Sequence, residues 1–362
     1  MKSVPSNRWW FTIFLLITVT VVAVGGLLAS TIGLHRPSLD ACPPECPYTF
    51  EFPSIFTPAS DEAALIRSLF DLIIALAAIV FVLVEGVLMY TVFKYRNRPP
   101  EAAVQLHGNT KLEIAWTAAP AVILVVIMGF TFRTMAEVKG PATGTVLQVK
   151  AIGQQYWWAF EYLKLDIVTA SELVVPLGAT VEVAIESTDV EHGLWAPELF
   201  GKVDAVPGYT TRVRFTPQEV GRHEYGGQCT QYCGTQHAQM RFSVIVLPSD
   251  EFWVWAANQR ELPVESAAGS AAERGKAAFL DAKSLCTSCH TINGTTAGGK
   301  VGPNLTHLAS RSYIAGGVLE LSEANLKTWL HDPQAVKPGN KMAVKLDEQT
   351  VQDLVAYLIT LK

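Results

Sequence analysis

The run CTQYCGTQHAQM, residues 229–240, places four soft or borderline metal ligands, Cys229, Cys233, His237 and Met240, within one short segment. Thiolate, thioether and imidazole together form a donor set that favours copper engaged in electron transfer. Zinc also accepts cysteine and histidine but rarely methionine, so Met240 shifts the balance towards copper. Around the run, from Thr145 to Val246, the pattern is strand-like. VLQVKAIG, TVEVAIES, TTRVRFTP and MRFSVIVL alternate or run with β-branched residues, separated by proline- and glycine-containing turns. Several short strands over about a hundred residues predict a compact β-sandwich or barrel.

Beyond Leu247 the character changes. PVESAAGSAA, residues 263–272, is small and polar and reads as a linker. After it, Ala271–Lys283, Glu323–His331 and Asp347–Leu361 read as helices, so a second, all-α domain closes the chain. Within that domain stands CTSCH at 286–290. In this spacing the two thiols, Cys286 and Cys289, bond the vinyl groups of a c-type haem, and His290 ligates the iron. A thioredoxin-like reading fails for want of a βαβ context. Haem of this type usually takes methionine as its other axial ligand. Met342, in KPGNKMAVKL, is the only methionine in the domain. Its isolated place on a Pro/Gly-rich stretch favours ligation over core packing. His307 and His331 are the competing axial candidates and read better as surface or structural residues.

The chain has 362 residues, 49% of them hydrophobic, and three apolar stretches hold much of that content: Trp9–Ala29, Leu72–Phe93 and Ile114–Phe132. Each approaches the ~20 residues an α-helix needs to cross a bilayer. Lys94, Arg96 and Arg98 follow the second stretch and Lys111 precedes the third, which puts the 94–113 loop in the cytoplasm and everything after residue 135 outside. The first stretch is either a retained helix or a secretory signal with Ala29-Ser30 near its cleavage point. A net charge of −5, with no basic tract beyond the juxtamembrane loop, argues against nucleic-acid binding. The six cysteines fall into three pairs on the outer side, where free thiols oxidise unless a metal or cofactor claims them. Cys42 and Cys46, in ACPPECP, read as a local disulfide.

With these residues assembled, the chain resembles subunit II of the haem-copper cytochrome c oxidases, and its C-terminal haem domain points to the caa-type branch. The resemblance spans roughly residues 63 to 362. Besides the cysteine run it rests on HGNTKLEIAWTAAPAVIL at 107–124, AIGQQYWWAFEY at 151–162 and DVEHGLWAPELFGKVDAVPG at 189–208. It implies a multidomain membrane protein: a transmembrane helical hairpin at 63–137, a cupredoxin-like β-barrel at 138–260 and an all-α class I cytochrome c domain at 273–362. The remaining segments are an N-terminal helix or signal peptide at 1–30, an outer-side segment at 31–62 and the linker at 261–272.

The resemblance also implies a dinuclear copper centre, CuA. Cys229 and Cys233 would bridge the coppers, His192 and His237 would bind one each, Met240 would complete one copper and the carbonyl of Gln231 the other. His192 alone would look structural; HGLWAPEL makes it a ligand candidate. The family commonly has Glu at position 231, whose side chain helps bind magnesium or manganese at the subunit interface, and Gln231 loses that charge. The family's aromatic block usually begins with Trp, where this chain has Tyr156, followed by Trp157 and Trp158. This substitution suits electrons arriving from the chain's own haem. Glu113 would mark the entrance of a proton channel leading into subunit I, although a carboxylate there also suits a helix N-terminus. Asp71 and Glu85 fall beside or inside the second apolar stretch, and Glu85 should face a partner helix or polar cavity.

The expected function is electron transfer in a terminal oxidase of the bacterial plasma membrane. Electrons would pass from haem c to CuA and on to haem a and the oxygen-reducing centre in subunit I, coupled to proton translocation. Subunit I, and subunit III with it, would be partners; the donor would be a cytochrome c, a small copper protein or another respiratory donor. The alternative is the electron-accepting subunit of a CuA-dependent nitric oxide reductase. A copper-delivery or thiol-redox protein would need neither the haem domain nor the hairpin, and a quinol oxidase subunit would lack these copper ligands.

Overall fold

A computed structural model describes residues 54–99, 107–140, 146–281 and 285–362. The first apolar stretch, Cys42 and Cys46 lie outside the described residues. Leu65–Val138 form one compact unit; Lys139–Lys362, joined by the segment ending at Ala64, form the other.

The first unit is built on α1 (Asp61–Tyr95) and α2 (Thr110–Lys139), which contain the second and third apolar stretches. Both are long and apolar enough to cross a membrane. Their charges sit where the helix dipole favours them: Glu113 in the first turn of α2, Lys94 and Lys139 in the last turns. The Asn109 side chain accepts the Leu112 N–H, while its own N–H donates to Glu113 Oε1 at 3.1 Å, a reciprocal cap. Asp71 is paired with Arg67 at 2.8 Å, one helical turn away. Thr91, Thr117 and Thr131 each return their hydroxyl to the carbonyl four residues back, which suits an apolar solvent.

The second unit begins with a β-barrel of two five-stranded sheets. One carries β1 (Val146–Gln154), β2 (Trp157–Tyr162), β3 (Ile167–Ala170), β5 (Thr180–Ser187) and β8 (Thr211–Phe215) in the order β3-β2-β1-β5-β8. The other carries β4 (Glu172–Pro176), β6 (His192–Ala196), β7 (Phe200–Ala205), β9 (Gly221–Cys229) and β10 (Arg241–Leu247) in the order β4-β10-β9-β6-β7. The β1–β5 and β4–β10 pairings are parallel and the rest antiparallel. Trp158, Phe160 and Tyr162 of β2 meet Leu194, Phe242, Val244 and Val246 of the facing sheet in one buried core. The Tyr162 hydroxyl donates to the Val174 carbonyl and accepts the Val174 N–H, both at 2.8 Å, so the buried phenol costs no unpaired polar group.

After β10 comes α3 (Ser249–Asn258), a helix outside the segments expected from sequence, whose Phe252 and Ala256 cover the barrel core. The C-terminal region follows with α4 (Ala271–Leu280), α5 (Cys286–Cys289), α6 (Glu323–His331), α7 (Pro333–Val336) and α8 (Glu348–Leu358). Ser270, Ser322 and Asp347 cap α4, α6 and α8 by accepting backbone N–H groups three residues on. Gly275 of α4 lies so close to α8 that a Cβ there would stand 1.9 Å from the Asp353 carbonyl oxygen. This region departs from the all-α expectation in one detail, a short ribbon pairing β11 (Tyr313–Ile314) with β12 (Leu319–Glu320).

Candidate metal centre and haem cavity

Cys229 ends β9 and Met240 precedes β10, so the run 229–240 is the loop between two neighbouring strands. The loop closes on itself through Cys229 N–H to the Met240 carbonyl at 2.9 Å, with a single 3₁₀ turn at His237–Gln239. It is tied to β6 by Thr230 N–H to the Gly193 carbonyl, also 2.9 Å. Gly193 permits this approach, because a Cβ there would lie 2.6 Å from Thr230 Oγ1. His192, remote in sequence, thereby comes under the loop, in a position with no solvent exposure.

The convergence is tight. The Cys229 and Cys233 sulfurs are 3.7 Å apart. His192 Nδ1 lies 3.9 Å from Cys229 Sγ, and His237 Nδ1 lies 3.7 Å from Cys233 Sγ. Met240 Sδ is 3.9 Å from Cys233 Sγ, and the Gln231 carbonyl oxygen 3.2 Å from Cys229 Sγ. All six sequence-predicted donors are thus gathered around one pair of sulfurs. The Cys233 hydrogen bond pulls the Cys229 thiol down, while the same contact pushes Cys233 up. Two sulfurs this close share one proton; both ionise together only with positive charge between them. A soft cation held by sulfur and imidazole meets that condition.

Asp189, three residues before His192, was not singled out by sequence. Its Oδ1 lies 2.8 Å from His192 Nε2, which fixes the tautomer with Nε2–H donating and leaves Nδ1 facing the sulfurs. Burial alone would raise the Asp189 carboxyl, but hydrogen bonds from His192, the Gln155 N–H, Lys341 and the Val190 N–H hold it well below the usual carboxylate range. Gln231 Oε1 receives the Lys202 ammonium at 3.1 Å, and Asp204 Oδ1 holds the same ammonium at 3.2 Å.

The aromatic run leads from this loop to a second site. Trp158 is fully buried and meets the His192 ring edge-on with centroids 5.8 Å apart. Tyr156 shares a hydrogen bond with Thr235 Oγ1 at 3.2 Å, and the Gln155 side chain donates to the Cys233 carbonyl at 2.7 Å. Gln155, Tyr156 and Trp157 also form one wall of a largely apolar cavity, whose other walls include Cys286, Cys289, His290 and Met342. His290 Nδ1–H donates to the Pro303 carbonyl at 2.8 Å, leaving Nε2 as the ring nitrogen with a lone pair to offer. Burial holds the His290 pKa below its ordinary value, favouring the neutral, ligating form. Gly302 has to be glycine here: a Cβ would stand 2.5 Å from His290 Cε1. The segment carrying Met342 is fixed by Gln334, whose amide donates to the Asn340 and Met342 carbonyls. Of the competing histidines, His307 is buried but does not line the cavity, and His331 is exposed. Neither Cys286 nor Cys289 is taken up in a disulfide, and a c-type haem fits this chemistry.

Apolar helices, a β-barrel holding a soft-ligand loop and a cavity built around CTSCH define a membrane-anchored electron carrier with two redox sites. Family models agree: cytochrome c oxidase subunit II, transmembrane domain, matches residues 47–134; its periplasmic domain matches 163–247; and cytochrome c matches 272–362. Cytochrome c oxidase subunit 2 of Alkalihalophilus pseudofirmus is 33% identical over 84% of this chain and 90% of its own length. The same subunit of Bacillus sp. PS3 is 34% identical over 71% of this chain and 76% of its own. Among solved structures, the periplasmic domain of cytochrome oxidase subunit II of Bradyrhizobium japonicum aligns at 25% identity and a TM-score of 0.31, covering 33% of this chain and 97% of that one. The chain belongs to the cytochrome c oxidase subunit II family, in a form with a fused cytochrome c domain.

Proposed function

We propose that the chain is the electron-transfer subunit of a proton-translocating terminal oxidase, carrying electrons from its own haem c to a dinuclear CuA centre for delivery to subunit I. The observation that carries this reading is the gathering of His192, Cys229, Gln231, Cys233, His237 and Met240 at one pair of sulfurs. When bound, the copper pair and the haem iron supply one-electron couples. Cys229, Cys233, His192, His237, the Met240 sulfur and the Gln231 carbonyl would together hold the copper pair, the thiolates and imidazoles offering the soft and borderline donors it needs. Asp189 holds His192 in the coordinating tautomer. In the other site Cys286 and Cys289 would hold the haem covalently, and His290 and Met342, which line the same cavity, would ligate its iron. Arg311, half-buried in the cavity wall, offers a guanidinium that suits the haem's propionate carboxylates. Tyr156, Trp157 and Trp158 form the electron path between the two sites, since the first two line the haem cavity and the third touches His192.

Gln231 lacks the charge of the family's Glu, and its side-chain oxygen accepts the Lys202 ammonium instead, which weighs against an interface magnesium here. Glu113 caps its own helix, and its service as a proton-uptake group for subunit I rests on the resemblance alone. Subunit I is the obligate partner, subunit III a further one, and a cytochrome c or small copper protein the donor. The copper and haem regions lie on the outer face of the bacterial plasma membrane. Nitric oxide as terminal acceptor is the less favoured reading, because the named relatives are cytochrome c oxidase subunits.

Purification with subunit I, followed by metal analysis and electron paramagnetic resonance, tests the proposal. Two coppers per chain sharing one unpaired electron, with one covalent haem, are expected. A single mononuclear copper, or zinc, would overturn it.

A further inference from the structure

Lys337 is 2% exposed, an unusual place for a lysine. It stands five residues before Met342 on the haem side, yet its ammonium is spent largely on the barrel. Nζ donates to the carbonyls of Tyr156 at 2.8 Å, Gln239 at 2.9 Å and Ala315 at 2.8 Å. Three N–H donors meet three carbonyl oxygens, the full complement of an ammonium. Tyr156 lies on the aromatic run, and Gln239 precedes Met240 in the ligand loop. Ala315 belongs to the turn of the β11–β12 ribbon. One side chain therefore joins the aromatic run, the metal loop and the haem region at a single point.

Its surroundings repeat the link. Arg241 N–H donates to the Gly316 carbonyl at 3.2 Å, and Ser312 N–H to Glu172 Oε1 at 2.9 Å. Lys341 Nζ reaches Asp189 Oδ2 at 2.9 Å, so the carboxylate that orients His192 also holds the haem segment. Gly316, with φ of +69°, is pressed into the joint: a Cβ there would lie 2.5 Å from the Tyr156 carbonyl oxygen and 2.7 Å from Lys337 Nζ.

We propose that Lys337 is a positioning residue for internal electron transfer, a pin that docks the haem domain on the copper domain with the haem cavity closed by Tyr156 and Trp157. The inference rests on the functional reading above for the presence of the two redox groups. A flexible linker raises the effective concentration of the two sites but leaves their orientation open. An apolar patch would tolerate sliding. A buried ammonium does not, because each lost carbonyl leaves a desolvated donor unpaired. The socket therefore selects one register, and electron transfer between fixed sites depends steeply on such positioning.

The test uses the intact oxidase with two variants. Lys337→Met keeps the apolar stem and removes the three donors; Gly316→Ala wedges the same joint from the other side. Both are expected to retain the haem spectrum and the copper resonance while slowing haem-to-copper electron transfer roughly tenfold or more after flash reduction of the haem. Hydrogen exchange at the Arg241 amide should rise in both, a readout that needs neither metal. If Lys337→Met fails to fold, Gly316→Ala decides. Unchanged transfer with unchanged exchange would overturn the proposal, and so would faster exchange with unchanged transfer. A wild-type chain without covalent haem or paired copper would instead defeat the functional reading, and the exchange measurement would still report on the joint.

Discussion

At the scale of single residues, the metal loop carried its own signature, because Cys229, Cys233, His237 and Met240 are close in sequence as well as in space. His192 was legible only through its surrounding family-like segment, since thirty-seven positions separate it from Cys229 and β-sheet pairing brings them together. Asp189, Arg311 and Lys337 were not legible at all: their identities are ordinary, and their roles arise from tertiary contacts that periodicity does not encode. Asp189 yields a direct prediction. Asp189→Asn keeps the shape but surrenders the charge that orients His192 and receives Lys341, and copper affinity should fall about 10- to 100-fold, the usual cost of losing a group that orients a metal ligand. Copper titration of the apo-protein with resonance detection would measure it; unaltered affinity would show that His192 needs no such partner. Met342→Ala should lower the haem potential and slow turnover with the copper signal intact. Redox titration checks this, and an unchanged haem spectrum and potential would remove Met342 as axial ligand.

At the scale of elements, the four strands read from alternation are β1, β5, β8 and β10, and all four are present with nearly the expected bounds. Of the six other barrel strands, β4 and β9 show plainly why alternation misses them. β4, ELVVP, is buried at every position and so shows no alternation, while β9, GRHEYGGQC, carries two glycines near its end that weaken any propensity argument. One of those glycines has a clear reason. A Cβ on Gly227 would stand 2.2 Å from the Phe242 ring of the neighbouring strand. Gly227→Ala should therefore destabilise the barrel by about 1–3 kcal/mol, the usual cost of overpacking. Thermal unfolding of the purified oxidase would register this as a lowered first transition, and a neutral result would mean that the Phe242 ring can swing aside. In the haem region α4, α6 and α8 were legible because each combines apolar periodicity with a Ser or Asp cap; α5 and α7, four residues each, and the β11–β12 ribbon, two residues per strand, are too short to leave a pattern.

At the scale of the whole chain, composition and the order of segments disclosed the architecture, but not whether the haem region is a loosely tethered domain or a docked one. That distinction lies in Lys337 and its three carbonyls, and it has a consequence for the linker. The stretch between α3 and α4 contains PVESAAG at 263–269, and a longer version is expected to matter only if the two redox sites meet by diffusion. For a diffusing tether, effective concentration falls roughly as the −3/2 power of length, so doubling the linker would slow transfer about threefold. For a pinned domain the bound register sets the rate, and the linker merely restrains the undocked minority. Inserting ten Gly/Ser residues after Ala267 should then leave flash-initiated haem-to-copper transfer within about twofold of the parent rate. The same insertion combined with Lys337→Met should slow transfer beyond the single variant, because the tether then becomes the only source of proximity. A threefold loss from the insertion alone would mean that the undocked state dominates in the working enzyme, and that the contacts at Tyr156, Gln239 and Asp189 form only at the moment of transfer.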